Sequence, residues 1–308
     1  MKCKWNNTIC LSFSYKNVIY TDKNNCFSNT LIDVLPCKYR RSEITKQLTA
    51  AEIMNYDGNI LDLVKGLYFN LPNHDFKTYH YCQSCDNTCS FENESITRVR
   101  LSIERSCNLH CVMCEGNAYF KPIFPLLHEI QYNLQYKLLG YNNKLDQIIL
   151  TSDGEPFYYK KELFDYIDKV TLNDTKEIYL FSNLTLINDK DIEFMYNYWK
   201  STGVKINILA SIDGITEETY KAVRQNNMFD KVISNALILN EHKMLDRINF
   251  CVVPENIHEL NRVRDYWAKY NIFVDVILGQ DYLENRKGTR NSVLRHPEWY
   301  KFIINEYN

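Results

Sequence analysis

Two patterns of apolar residues alternate along the chain from residue 98 onward. Short runs rich in β-branched residues predict strands, and longer stretches with apolar residues every three or four positions predict amphipathic helices. Six strands are predicted, at Arg98–Ile103, Gln147–Thr151, Glu177–Phe181, Lys205–Ala210, Ile248–Val253 and Ile272–Val276. Because helices of ordinary length separate these strands, the pattern favours βαβ units around a parallel sheet.

The first ninety or so residues have a different pattern. Two β-favouring runs, Leu11–Tyr15 and Asn17–Tyr20, precede turn residues and predict a short hairpin region. Helix-like stretches follow at Thr49–Met54 and Ile60–Lys65. Seven of the eleven cysteines also lie in this part of the chain. We therefore expect three regions: a cysteine-rich α+β module at 1–95, a core at 96–280 and a helical tail at 281–308.

Composition narrows the range of partners. The chain has 308 residues and a formal charge of -2, so no net field favours nucleic acid or an anionic membrane. The N-terminus lacks the apolar core of a signal peptide, and no run of about eighteen apolar residues is present to span a bilayer. The cysteines cluster with metal-like spacings instead of forming a disulfide framework. These features predict a cytoplasmic protein that binds neither nucleic acid nor membrane.

A short cysteine loop follows the first predicted core strand. Cys107, Cys111 and Cys114 have the spacing Cys-x3-Cys-x2-Cys. Thiolates are soft ligands for iron–sulfur clusters, and a [4Fe–4S] cube needs four ligands, so three cysteines leave one iron without a protein ligand. Zinc is the alternative, but a tetrahedral zinc site requires four ligands and usually takes them from separated Cys-x2-4-Cys pairs.

This spacing resembles the signature of the radical S-adenosylmethionine (radical SAM) enzymes, in which SAM occupies the vacant iron. Asn108 matches the common Cys-Asn-x-x-Cys form, whereas Met113 stands where the family usually has an aromatic residue. The resemblance implies an α/β fold, a partial (β/α)6 TIM-like barrel. In such a barrel the reactive groups lie at the carboxyl ends of the strands.

Ser152–Pro156, after the second core strand, resembles the Gly-Gly-Glu-Pro motif that binds the methionine amino group of SAM. Asp153 replaces the first glycine of that motif. Gly154 would let backbone carbonyls approach an ammonium closely, and Pro156 after Glu155 would fix the turn that directs them. The alternative interpretation of this segment is an ordinary turn.

Two further motifs follow the third and fourth core strands. Ser182–Thr185 is similar to the family's Thr-Asn-Gly, and Asn183 would serve either a local turn or the cofactor. Ser211-Ile212-Asp213-Gly214 resembles the family's Ser-(Leu/Ile)-Asp-Gly, and a Tyr-x3-Arg pair ending at Arg224 follows it. The resemblance implies that Ser211 and Arg224 meet the carboxylate or ribose of SAM and that Asp213 reaches cofactor or substrate.

The N-terminal cysteines resemble an auxiliary-cluster module of the SPASM or twitch type, which many radical SAM proteins carry. The resemblance implies an auxiliary iron–sulfur cluster. The implied ligands are Cys26, Cys82 and Cys85, completed by Cys10, Cys3 or Cys89. A zinc knuckle that stabilises a small domain is the alternative, because spacing alone does not separate iron from zinc.

The resemblance also implies a reaction. Reductive cleavage of SAM would give a 5′-deoxyadenosyl radical that abstracts hydrogen from a carbon of a peptide or sugar, leading to epimerisation or oxidative modification. The electron would come from an external donor such as flavodoxin or ferredoxin. The alternative function is a non-catalytic zinc-stabilised or iron–sulfur-stabilised module that binds a peptide partner.

Cys251 is the only cysteine in the latter half of the chain, and it lies within the fifth predicted core strand. Some radical SAM epimerases use a cysteine to return a hydrogen atom to the substrate radical, and Cys251 is the candidate for that role here. The alternative is structural, because free cysteine is commonly a small buried hydrophobe.

Overall fold

A computed structural model describes residues 8–14, 31–35, 46–49, 55–57, 98–102, 107–114, 147–151, 154–170 and 175–278. The strands are β1 Thr8–Ser14, β2 Leu31–Leu35, β3 Lys46–Thr49, β4 Arg98–Ser102, β5 Gln147–Thr151, β6 Glu177–Ser182, β7 Lys205–Ser211, β8 Leu245–Val252 and β9 Val274–Leu278. The α-helices are α1 Lys160–Val170, α2 Asp189–Thr202, α3 Glu217–Arg224, α4 Phe229–Glu241 and α5 Leu260–Ala268, with 3-10 turns at Pro156–Tyr159 and Ile257–Glu259.

The chain divides into two compact units, of which the first contains β1 to β5 and most of α1. Its strand order is β3-β2-β1-β4-β5. The three N-terminal strands pair antiparallel with one another, whereas β1 pairs parallel with β4 and β4 pairs parallel with β5. The N-terminal strands therefore extend the same sheet as the first core strands.

One N-terminal expectation needs correction. β1 pairs with β2, at residues 31–35; the run at 17–20 that was assigned to the hairpin region lies outside the described residues, so that part stays a prediction. Thr49 was expected to begin a helix, but it ends β3, because β3 gains backbone hydrogen bonds from β2 that a single-sequence pattern does not reveal. The division into 1–95, 96–280 and 281–308 stays a prediction, and the predicted tail lies outside the described residues.

The second unit contains most of β6, then β7, β8 and β9 in that order, with helices between them. β7 pairs parallel with β8, and β8 pairs parallel with β9. Within the part of the chain that the structure describes, β9 has no second strand partner, so the sheet is open. The predicted fold class is confirmed: the protein is α/β, with an open parallel sheet that is consistent with a partial TIM-like barrel.

Local sequence signals fix the elements that position the ends of these strands. β6 alternates buried and half-buried residues, and β7 is buried from Ile206 to Ala210 because both of its faces are covered. Asn188 caps α2, since Asn188 Oδ1 accepts the Asp191 N–H at 3.1 Å and Asp191 Oδ2 accepts the Asn188 N–H at 2.9 Å. Gly203, at φ 77°, ends the same helix.

Among the residues that the structure describes, no helix combines the length and the apolar character that crossing a bilayer requires.

Candidate active site

The cysteine loop, residues 107–114, belongs to the second unit. Leu109 and Cys111 are buried, and Cys107 and Cys114 are half-buried. The Cys114 N–H donates to the Cys111 carbonyl at 3.0 Å, which closes a turn around the last two cysteines. The Val112 N–H donates to the carbonyl of Val223, near the end of α3, also at 3.0 Å. The loop is therefore attached to α3 by its own backbone.

Nitrogen donors surround two of the three sulfurs. The Leu109 N–H and Asn183 Nδ2 donate to Cys107 Sγ at 3.4 and 3.7 Å, and Arg224 Nη1 donates to Cys111 Sγ at 3.4 Å. Burial raises the pKa of Cys107 to about 11; the Leu109 N–H opposes this shift, and Glu155 and the other two cysteines add to it. The three sulfurs are thus close enough to interact electrostatically.

The donor set fits an iron–sulfur cluster. Each thiolate of a cubane binds a different iron, so its ligands are farther apart than the ligands of a single ion. Among the side chains that the structure describes, no three His, Cys, Asp or Glu residues form a compact single-ion group. Because burial keeps the Cys107 thiol neutral at pH 7 on its own, iron cations would supply the positive charge that holds it as a thiolate.

Glu155 is a buried carboxylate at the turn after β5. Oε1 accepts the Phe157 N–H at 3.2 Å and the Ser182 hydroxyl at 2.8 Å, and Oε2 accepts the Asn183 N–H at 2.7 Å. Burial raises the pKa of Glu155 to about 7, although these three donors and the charge of Arg224 oppose the shift. The side chain thus joins the Gly154–Pro156 turn to the end of β6.

Asn183 joins the end of β6 to the cysteine loop. Its Oδ1 accepts the Thr185 N–H at 2.9 Å and the Thr185 hydroxyl at 2.6 Å, while its Nδ2 donates to Asn108 Oδ1 at 3.2 Å. Asn108 Nδ2 returns a bond to Thr185 Oγ1 at 2.8 Å. Leu184, which stands at the glycine position of the family motif, has φ 62°, a left-handed conformation that glycine adopts without penalty.

Asp213 and Arg224 form a buried ion pair. Arg224 Nη2 lies 2.5 Å from Asp213 Oδ2, and Asp213 Oδ1 accepts the Cys251 N–H at 2.6 Å. Burial raises the pKa of Asp213, and the Arg224 guanidinium opposes that shift. Burial alone would lower the pKa of Arg224, but Asp213 and Cys111 raise it above the usual arginine value. The guanidinium therefore links the end of β7 to the cysteine loop.

Gly214 allows α3 to lie close to this pair. A Cβ added at Gly214 would meet the Tyr220 backbone nitrogen at 2.5 Å, so a larger residue would push α3 away. Thr216 caps α3 by accepting the Thr219 N–H. Asp213 thus supplies the charge that pairs with Arg224, and Gly214 supplies the space in which α3 packs.

Cys251 lies near the end of β8 and is half-buried. Burial raises the pKa of its thiol to about 12; Asp213 and Cys111 add to the shift, and Arg224 opposes it. The sulfur therefore keeps its hydrogen at neutral pH. Its interaction with Cys111 also indicates that this thiol and the cysteine loop are close enough to influence each other.

The predicted residues differ in how far the structure describes them. Ser211 is half-buried at the end of β7, where it pairs with Asn249 of β8. Cys10 lies in β1, and its side chain is outside the described residues. The other predicted auxiliary ligands also lie outside them: Cys26, Cys82, Cys85, Cys3 and Cys89. The roles assigned to all of these residues stay predictions.

Two buried polar residues beside the Asp213 turn, Asn256 and Glu259, were not predicted from the sequence. Asn256 Nδ2 donates to the carbonyls of Asp213 and Cys251 at 3.0 and 2.8 Å. Glu259 accepts the Ile215 N–H at 2.7 Å and the Thr216 hydroxyl at 2.8 Å. The only sequence signal for Asn256 is its place two residues after Pro254 at a strand end, which is typical of an ordinary turn.

The chain is similar to a protein-family model, to a curated protein and to several solved structures. The family model described as Radical SAM superfamily matches residues 101–266, which is more than half of the 308-residue chain. A protein named probable GTP 3′,8-cyclase from Methanococcus aeolicus is 26% identical over 197 residues. The match covers 60% of this chain and 60% of that protein, so the chain spans less than two thirds of the relative's length.

Solved structures of similar fold include one described as native anSMEcpe with bound AdoMet, another name for SAM, and a Cp18Cys peptide. It has a TM-score of 0.52 and 21% identity, and the match covers 68% of this chain and 58% of that one. Streptococcus suis SuiB bound to S-adenosylmethionine has a TM-score of 0.50 and 14% identity, with coverages of 81% and 53%. At these identities the likeness concerns the fold alone.

Proposed function

This chain belongs to the radical SAM superfamily, and on that premise we propose that it binds SAM at a [4Fe–4S] cluster held by Cys107, Cys111 and Cys114. The observation that carries the proposal is the placement of all three cysteines in one loop that contacts Asn183 and Arg224, two residues of the family motifs. When bound, the cluster and SAM together supply a 5′-deoxyadenosyl radical that removes hydrogen from a substrate carbon. An external donor such as flavodoxin or ferredoxin would supply the electron.

The residues around the loop have distinct roles in this proposal. The Gly154–Pro156 turn presents backbone carbonyls to the ammonium of SAM, and Glu155 holds that turn against β6. Asn183 and Ser211 lie at the ends of β6 and β7 and contact the cofactor. Asp213 and Arg224 flank it as a pair. Burial of the site excludes water from the reactive species.

Anaerobic purification tests this proposal. The protein should be brown and hold at least about four irons per chain, and SAM with dithionite should release 5′-deoxyadenosine. Cys111→Ala should abolish that release. Ser201→Ala, a matched small change at an exposed position of α2, should leave it intact. A colourless protein that holds zinc would overturn the proposal and favour the non-catalytic peptide-binding module.

We also propose an auxiliary iron–sulfur cluster in the N-terminal region. Its support is the resemblance of the N-terminal cysteines to SPASM and twitch modules, with Cys26, Cys82 and Cys85 as the assigned ligands. A triple alanine variant of the cysteine loop should then retain about four irons and a brown colour. An iron-free, colourless triple variant would contradict the auxiliary cluster, but it would not contradict the proposal of a cluster at the cysteine loop.

A peptide is the substrate that we propose first. Its support is the solved structures of anSMEcpe, which are described with bound AdoMet and with Cp18Cys or Kp18Cys peptides. The relative named as a probable GTP 3′,8-cyclase favours a nucleotide as the second candidate. Incubation with peptides encoded beside the gene, and separately with GTP, followed by mass spectrometry, decides between them. Conversion of GTP alone would contradict the peptide proposal.

We propose that Cys251 returns hydrogen to the substrate radical. Its raised thiol pKa supports this role, because a donor must carry S–H at neutral pH. The step moves one hydrogen atom to the substrate carbon and leaves a thiyl radical on Cys251, which one electron and one proton from the external donor system restore. In D₂O the exchanged thiol should place one deuterium in the product, and Cys251→Ala should lose that label. A label that persists in Cys251→Ala would contradict the role.

A further inference from the structure

Arg224 touches a proposed cluster ligand and a buried acid at the same time. It is the last residue of α3, and the helix ends there because Gln225 adopts a left-handed conformation at φ 55°. The neighbouring Val223 carbonyl accepts the Val112 N–H of the cysteine loop at 3.0 Å. Backbone geometry therefore fixes where the Arg224 guanidinium lies relative to Cys111.

The guanidinium uses both terminal nitrogens within the protein. Nη1 donates to Cys111 Sγ at 3.4 Å, and Nη2 pairs with Asp213 at 2.5 Å. A guanidinium has five N–H groups, so these two contacts leave others, including Nε, for a further acceptor such as SAM. The contact with Cys111 is the part of this geometry that bears on the cluster.

Asp213, Arg224 and Cys111 follow one another in a defined order. Asp213 is held in place by two further hydrogen bonds, because its Oδ1 accepts the Cys251 N–H and its backbone carbonyl accepts Asn256 Nδ2. The sequence of groups is carboxylate, guanidinium, thiolate, so the positive member of the pair lies next to the cluster ligand. Arg224 is only 8% exposed, and buried charges interact more strongly than charges in water.

The reduction potential of an iron–sulfur cluster depends on its net charge, on hydrogen bonds to its sulfurs and on its exposure to solvent. We propose that Arg224 is a positioning residue that raises the reduction potential of the loop cluster through Cys111, and that Asp213 moderates this effect. The inference rests on the proposed function, since it needs the cluster to be bound at the loop. A nearby positive charge stabilises the extra electron of the reduced cluster, and a nearby negative charge does the opposite.

The two charges make the test specific, because neutralising them should shift the potential in opposite directions. Arg224→Gln should make the midpoint more negative, and Asp213→Asn, which keeps an oxygen for the Cys251 N–H, should make it more positive. We expect at least a tenfold change in the reduced-to-oxidised ratio for Arg224→Gln, which for a one-electron couple corresponds to 59 mV. Redox titration of the reconstituted protein without SAM, followed by electron paramagnetic resonance, measures both.

Arg247→Gln is the matched control. Arg247 lies near the start of β8, where it pairs with the exposed Asp246 and the half-buried Asp275. It stands four positions before Cys251 along the strand, a separation of about 13 Å that exceeds the screening length of about 8 Å at physiological salt. Loss of this charge should leave the midpoint unchanged. Because the titration is carried out without SAM, any contact between Arg224 and the SAM carboxylate does not affect the measured midpoint.

The outcomes separate this inference from the proposed function. A wild-type protein without a [4Fe–4S] signal would overturn the function itself. A normal signal and iron content with an unshifted midpoint in Arg224→Gln, or shifts of the same sign in the two variants, would overturn only the inference. If Arg224→Gln does not load iron, Asp213→Asn decides alone, because a midpoint that is not more positive than wild type contradicts the role.

Discussion

Glu155 and Asp213 are both buried carboxylates of the second unit, but their surroundings differ. Glu155 is 1% exposed and accepts three neutral hydrogen bonds from Phe157, Ser182 and Asn183. Asp213 is fully buried and has the Arg224 guanidinium as its counter-charge. Burial raises the pKa of Glu155 to about 7 although these donors oppose the shift, so its charge changes near neutral pH.

The two acids show two ways in which a buried carboxylate is held beside the cysteine loop. At Glu155 the donors come from its own turn and from the end of β6, and they connect two neighbouring motifs. At Asp213 the compensating charge comes from α3 and also reaches Cys111. The first arrangement holds a turn in place, whereas the second connects a charge to the proposed cluster. Substitutions at the two acids should therefore have different consequences.

The largest effect should come from breaking the ion pair. Arg224→Met should lower the free energy of unfolding by about 3–5 kcal/mol, because it leaves Asp213 buried without its counter-charge. Adding Asp213→Asn to that variant should recover part of the loss. Anaerobic urea unfolding measures both. A loss below about 1 kcal/mol, in the range of exposed pairs, would show that the pair is not a buried charge in solution.

The next largest effect should be a pH dependence of stability that arises from Glu155. Burial raises its pKa from 4.5 to about 7, so the folded protein holds this proton more tightly than the unfolded chain. The contribution of this proton to the free energy of unfolding is fully present below pH 4.5. It is lost as the pH rises toward about 7, which lowers the free energy of unfolding by about 3 kcal/mol. Glu155→Gln should remove this part of the pH profile in urea unfolding. An unchanged profile in that variant would place the titration elsewhere.

A smaller effect should follow loss of one donor to Glu155. Ser182→Ala removes the 2.8 Å bond to Oε1 and should cost about 1–3 kcal/mol above pH 7, where the carboxylate is charged. It should also raise the pKa of Glu155 further, because one stabilising donor is lost. Ser201→Ala, whose hydroxyl bonds only the Tyr198 carbonyl near the end of α2, is the control. Equal losses in both serine variants would contradict the special position of Ser182.

The smallest effect should be at the neutral contacts of the cysteine loop. Asn108→Ala removes the 2.8 Å bond to Thr185 and the acceptor for Asn183 Nδ2. It should cost about 1 kcal/mol in urea unfolding, since Asn108 is half-buried and water replaces part of the loss. A cost as large as that of Arg224→Met would show that neutral contacts, and not the ion pair, dominate the site.

The sequence predicted the features that have local signals. The six core strands and the Asn188 cap of α2 could be read from apolar periodicity and capping chemistry, because both act over a few residues. The cysteine spacing and the order of the motifs led to the superfamily in the same way. The glycine-like conformation of Leu184 was not visible, because leucine gives no sign of a positive φ.

The contacts that give the site its character could not be predicted. Arg224 and Cys111 are 113 residues apart, and Asp213 and Cys251 are 38 apart, so no local pattern reports that they meet. The pairing of β1 with β4 was missed for the same reason, because parallel partners can be distant in sequence. Asn256 was missed because an asparagine two residues after a proline is typical of any turn.

The central claim is that three thiolates of one loop leave an iron open for SAM. Electron–nuclear double resonance of the reduced protein, mixed with SAM that carries ¹⁵N in its amino group, tests it most directly. The account predicts a ¹⁵N coupling to the cluster in the wild-type protein and none in Cys111→Ala. A wild-type protein with a complete four-iron cluster and no ¹⁵N coupling would contradict it.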